Sequence, residues 1–161
     1  MMSTEAIARA IITTPADREI RVERTFNAPR ARVWRAFTDP EQVRQWWGRG
    51  NPLEIERMDV EPGGHWRYVE HGPEGDHGFE GRYGEVVPEE RIVMTFEWDG
   101  MPAHVSLETI EFEDLGDGRT KVVNTSVFFT TADRDGMLQS GMEAGLEQSY
   151  AALDRLLARQ G

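Results

Sequence analysis

The chain predicts an α+β domain, in which an antiparallel sheet of short strands packs on one long C-terminal helix. Three observations carry this. Between about residues 53 and 129, runs of alternating apolar and polar residues are divided by the turn clusters Gly72-Pro73-Glu74-Gly75, Asp99-Gly100 and Gly116-Asp117-Gly118, as in consecutive hairpins. From Asp133 to Arg159 the period becomes helical, with Leu138, Met142, Leu146, Ser149 or Tyr150, Leu153 and Leu157 on one stripe. Upstream, Pro29 and Pro40 stand where two short helices would begin, because proline has no amide hydrogen to lose in a first helical turn.

The elements follow in order. Residues 1–17 read as an N-terminal arm or edge segment, and residues 18–161 as a single domain. Ile20, Val22 and Phe26 share one face of residues 19–26 with mostly charged residues between them, a half-buried strand. The first short helix follows Asn27 or Ala28 and carries Val33, Trp34 and Phe37. The second is capped by Thr38 or Asp39, carries Val43, Trp46 and Trp47, and ends at Gly48 and Gly50. Strands are then expected at about 53–60, 64–71, 78–87, 90–98, 103–114 and 119–129, before a helix that Gly141 and Gly145 bend. Its apolar stripe has to be buried against the concave face of the sheet.

Composition narrows the function classes. A chain of 161 residues suits one core, and 29 acidic against 18 basic residues leave a net charge of -11 that repels phosphate backbones. Nucleic acid is not an expected partner. No apolar run approaches a membrane span, and Met1 to Thr14 lacks the pattern of a signal peptide, so a cytoplasmic protein without membrane insertion is expected. Without cysteine there is no disulfide, thiol nucleophile or thiolate metal site.

Alternation proposes which side chains face inward. Ile92, Met94, Phe96 and Trp98 share a face, as do Trp66 and Tyr68, and Phe79, Gly81 and Tyr83. If Ile110 and Phe112 point inward, so do His104, Ser106 and Glu108, while Val122 and Phe128 carry Asn124 and Ser126 with them. Each such polar group costs about 1–3 kcal/mol if buried unpaired, so a water- or ligand-filled cavity is expected, unless a bulge turns part of the strand outward.

Catalytic and metal chemistry have slighter support. Glu108 or Glu70 could serve as a general base with His104 as its acid partner. His71, Glu74, Asp76 and His77 crowd one hairpin, but neither they nor His65 and His104 match a ligand spacing, and an exposed polar loop with no metal or cofactor is expected. No serine stands in a Gly-x-Ser-x-Gly turn. Gly63-Gly64 and Gly81-Arg82-Tyr83-Gly84 precede no helix, so they mark strand corners and close approach to the long helix, not phosphate cradles.

Several of these segments together resemble a known family. Asn27-Ala28-Pro29-Arg30, Phe37-Thr38-Asp39-Pro40, Trp46-Trp47-Gly48, Asp59-Val60-Glu61-Pro62-Gly63-Gly64, Gly81-Arg82-Tyr83-Gly84-Glu85 and Ser140-Gly141-Met142-Glu143 are similar, in this order, to bacterial relatives of the activator of the heat-shock protein 90 ATPase. That family lies in the START-like, or helix-grip, superfamily, and the resemblance runs over roughly residues 18 to 159. Glu61 and Leu146 depart from it, where many relatives carry arginine and tryptophan.

The resemblance implies a helix-grip fold with a cavity between the long helix and the curved sheet, and a hydrophobic or amphipathic small molecule as ligand. With alternation, it proposes as binding residues Trp46, Trp47, Trp66, Tyr68, Phe79, Tyr83, Phe96, Trp98, His104, Glu108, Asn124, Ser126, Met142 and Leu146. A stress or regulatory role goes with it. Two rivals stay open: a cyclase or aromatase using a cavity carboxylate, and a co-chaperone-like interaction module. The eukaryotic activator has a second domain for which this chain leaves no room, which argues against a chaperone partner. A homodimer through an edge strand or the arm is compatible with the pattern.

Overall fold

The computed structural model describes residues 9–160, so residues 1–8 of the expected arm lie outside the described residues. Strands β1 (Ile11–Thr13) and β2 (Glu19–Phe26) precede helices α1 (Arg30–Thr38) and α2 (Pro40–Trp46). A meander follows, β3 (Leu53–Met58), β4 (His65–Gly72), β5 (Gly75–Val87), β6 (Arg91–Trp98), β7 (Ser106–Asp114) and β8 (Thr120–Phe128), and then α3 (Thr131–Gln139) and α4 (Met142–Gln160). The eight strands form one sheet in the order β1-β2-β8-β7-β6-β5-β4-β3. Every neighbouring pair is antiparallel. The fold is an α+β helix-grip: a curved sheet closed by the long helix α4.

The helices start and stop for local reasons. Asp39 caps α2, its side chain accepting from the Glu41 amide at 3.0 Å, with Pro40 as first helical residue. Pro29 stands one place earlier than expected, as the residue before α1, where no side-chain cap is made. The C-terminal helical stretch is two helices, since Gly141 takes φ +84° and breaks it there. Leu138 consequently leaves the apolar stripe and is exposed on α3, none of whose residues is buried.

Along α4, Ser149, Tyr150, Leu153, Leu156 and Leu157 are buried, and the apolar members join Ile20, Phe26, Ile110, Phe112, Val122 and Phe128 of the sheet in one core. Tyr150 meets Phe26 edge to face at 5.1 Å. α1 and α2 close one end of this core through Val33, Ala36, Val43 and Trp46. The Trp46 indole donates to the Ala36 carbonyl at 2.8 Å, so its one polar atom is satisfied inside.

Two charged residues sit deeper than their composition suggests. Arg24 shares the inward face of β2 with Ile20, Val22 and Phe26 and is only 4% exposed. Its guanidinium lies 4.7 Å over the Phe26 ring and meets Asp154 of α4 at 2.6 and 3.0 Å. The geometry suits arginine because a planar guanidinium can stack on a ring and fork to a carboxylate together.

Glu70 of β4 is 1% exposed. It accepts at Oε2 from Arg49 at 2.7 Å and from the Asn51 amide at 2.5 Å. The Arg49 chain reaches it across α4 at Gly145, where a Cβ would stand 2.6 Å from Arg49 Cδ. Gly145 is therefore the glycine that permits close approach to the long helix. Gly64 and Gly81 serve other contacts: a Cβ there would meet the Asp59 carbonyl at 1.9 Å and the Thr95 carbonyl at 2.0 Å.

Candidate ligand site

Alternation holds along β7 and β8 and places Ser106, Glu108, Asn124 and Ser126 on the helix-facing side, with Glu108 directly opposite Ser126 across the strand pair. The Ser106 hydroxyl donates to Glu108 Oε2 at 2.6 Å, and the Ser126 hydroxyl to Oε1 at 2.7 Å. Met94 stands opposite Glu108 on the other flank, and Phe96 opposite Ser106. Burial holds the Glu108 carboxyl above the usual carboxylate range, against the pull of hydrogen bonds from Ser106, Ser126 and Asn124. Glu108 nonetheless retains accessible surface, as do Asn124 and Ser126.

The apolar wall continues from this spot. Phe96 lies 5.5 Å from Phe79, and Phe79 lies 5.1 Å from Trp47. Trp47, Phe79, Met94, Phe96, Met142 and Leu146 are all half-buried. Of the paired tryptophans, Trp46 is core and Trp47 is half-buried against Phe79 and Tyr68. Trp66, Tyr68 and Tyr83 are fully packed. Burial pushes Tyr68 well above its ordinary pKa and Tyr83 to about 12.

Two expected positions lie elsewhere. β7 begins at Ser106, and a turn with Ala103 at φ +73° ends the alternation before His104. His104 is thus exposed, its Nδ1 2.9 Å from Asp133 of α3, off the concave wall and no partner for Glu108. Trp98 stands opposite Phe79 in register but packs its ring on His77. Together with Arg67, Asp99 and Gly100 it borders a shallow, open surface concavity of about 440 Å³ at the β5–β6 corner.

The crowded polar hairpin divides as well. His71 pairs with Asp76 at 2.8 Å and with Glu54 at 3.2 Å, whereas His77 goes to Trp98. The arginines that periodicity did not single out, buried Arg24 and exposed Arg49, bind carboxylates 130 and 21 residues away. No local signal marks them.

The raised Glu108 value sets a pH dependence. Folded Glu108 keeps its proton above about pH 4.5, where the unfolded chain loses it, so its contribution to stability is lost as pH rises through the folded value. Glu108→Gln has no proton to lose. It is expected to be more stable than the parent at neutral pH, with the gap narrowing toward pH 4.5 in urea titrations. A gap that widens on acidification would contradict the burial of this carboxyl.

A curved antiparallel sheet gripping a long helix defines a START-like domain. The family model for the Activator of Hsp90 ATPase homolog 1-like protein matches residues 27–158, and the chain belongs to that family. Solved structures agree. A Rhodobacter sphaeroides protein is 27% identical with a TM-score of 0.86, the alignment covering 94% of this chain and 99% of that one. A Chromobacterium violaceum protein is 30% identical with a TM-score of 0.73, covering 86% and 96%. One from Staphylococcus epidermidis is 25% identical with a TM-score of 0.79, covering 93% and 94%. No curated protein matches. Among the described residues no helix is long and apolar enough to cross a membrane.

Proposed function

We propose that the protein binds a hydrophobic or amphipathic small molecule between α4 and the concave sheet, as a cytoplasmic carrier or sensor with a stress or regulatory role. The observation that carries this reading is Glu108: a desolvated carboxyl with two hydroxyl donors, bordered by half-buried rings instead of filled core. Sites for small molecules have this make-up, mostly apolar with a few convergent polar groups. Trp47, Phe79, Phe96, Met94, Met142 and Leu146 supply the apolar part, and Glu108, Asn124 and Ser126 the polar part.

The same carboxyl supports a cyclase-type second reading, since an acid with a raised pKa can move a proton on a bound substrate. That reading has lost its histidine partner, because His104 is paired with Asp133 outside the wall. Glu70 is likewise committed to Arg49 and Asn51.

N-phenylnaphthylamine, whose emission rises in apolar surroundings, is expected to bind with one site per chain. Asn124→Leu should fill part of the space and weaken that binding while stability holds or rises, because Asn124 Oδ1 is buried without a hydrogen-bond partner. Absence of fluorophore binding, together with strong destabilisation by Asn124→Leu, would mean a filled core and end the ligand-binding reading.

A further inference from the structure

The polar end of the cavity has a directional chemistry. The hydroxyls of Ser106 and Ser126 are already spent, one on each oxygen of Glu108. What remains open is acceptor capacity. A carboxylate offers about four lone-pair sites, more than these donors occupy. Asn124 Oδ1 is buried and has no partner. Nearby cations are engaged, Arg24 by Asp154 through both terminal nitrogens and Arg49 by Glu70. A bound ammonium would offset the desolvation that keeps the Glu108 proton on and let the carboxyl ionise, whereas a carboxylate could sit beside Glu108 only while that proton stays.

We infer that the ligand is an amphipathic amine, its ammonium or N–H end held by Glu108 and Asn124 Oδ1 and its apolar body lying along Met94, Phe96, Phe79 and Trp47. This rests on the ligand-binding reading above and narrows it to donors over acids. An ammonium supplies three donors and no acceptor, which matches the spare lone pairs of Glu108 and the unpartnered Asn124 Oδ1.

The test uses decylamine, decanol and decanoate, equal in chain length and each below its micellar concentration, competing with N-phenylnaphthylamine on the full chain. The amine is expected to displace the fluorophore at least about tenfold more tightly than decanoate, with decanol between them. In Glu108→Gln the ratio of amine to decanoate affinity, each read against that variant's own fluorophore affinity, should collapse toward the decanol level. Fluorophore binding with equal competition by all three would overturn the amine assignment and leave the ligand-binding reading standing. Preference for decanoate would do the same and point to Arg24 Nε, which is buried and unpartnered, as an anion anchor. An amine preference that persists in Glu108→Gln would trace to the net charge of -11, not to this site, and would also overturn the assignment. Failure of the fluorophore and of all three competitors to bind would remove both readings together.

Discussion

Leu153→Ala is expected to cost about 2–5 kcal/mol of folding stability, the range for truncating a buried leucine. Leu153 has no exposed surface and sits mid-helix in α4, between Tyr150 and Leu157, against the sheet's inward residues. The cost combines lost transfer free energy with the cavity left behind, and neighbours can relieve it only in part. α4 supplies four of the buried apolar side chains of the core, Tyr150, Leu153, Leu156 and Leu157. Loosening its centre therefore loosens the grip as a whole. Urea titration reads the effect. A loss below about 0.5 kcal/mol, the size of an ordinary surface change, would show that α4 does not close the core.

Arg49→Ala is expected to destabilise by about 2–3 kcal/mol. Removing one partner of a fully buried ion pair costs about 3–5 kcal/mol, because the other charge is stranded. Glu70 is 1% exposed, but the Arg49 side chain is 47% exposed, so water screens part of the interaction and the lower figure applies. Asn51 remains to donate to Glu70 and limits the loss further. Glu70→Gln in the Arg49→Ala background removes the stranded charge and should recover most of the stability. If Arg49→Ala proves neutral, or the second change adds to the loss, Glu70 is solvated in solution and the bridge across Gly145 holds nothing.

The two effects differ in how far they could be read from the chain. Leu153 belongs to a stripe of period 3.6, and any helix there had to bury it. The Arg49 bridge joins a turn, a helix and a strand, and needs a glycine at residue 145 that a sequence reading takes for a bend. Gly145 lies within α4 and does not break it; the break falls at Gly141, where φ is positive.

The candidate site shows the same division. Ser106, Glu108, Asn124 and Ser126 were legible because a strand alternates with period 2, and once Ile110, Phe112, Val122 and Phe128 face inward their even-numbered neighbours must follow. His104 was misplaced by carrying that alternation past the end of the strand. A turn at Ala103 resets the direction of the chain, and nothing in the residue types announces where pairing stops. Trp46 and Trp47 could not be told apart either, since both fit the helical spacing. The Ala36 carbonyl, ten residues earlier, took the indole of Trp46, and Trp47 was left to Phe79 and Tyr68.

By itself, then, the sequence determined the order of two short helices, meander and C-terminal helical stretch, the inward faces of β7 and β8, the buried stripe of α4 and the family. All of these depend on periodicity, on proline and glycine, and on motif order, which are properties of neighbouring residues. Only the tertiary structure decided that Arg24 is buried, that Glu70 is tied to Arg49, that His104 is outside and that Glu108 collects two hydroxyls. Those outcomes depend on which distant groups meet when the sheet curves around the helix. A charged side chain is buried only where a partner far along the chain arrives to offset its desolvation.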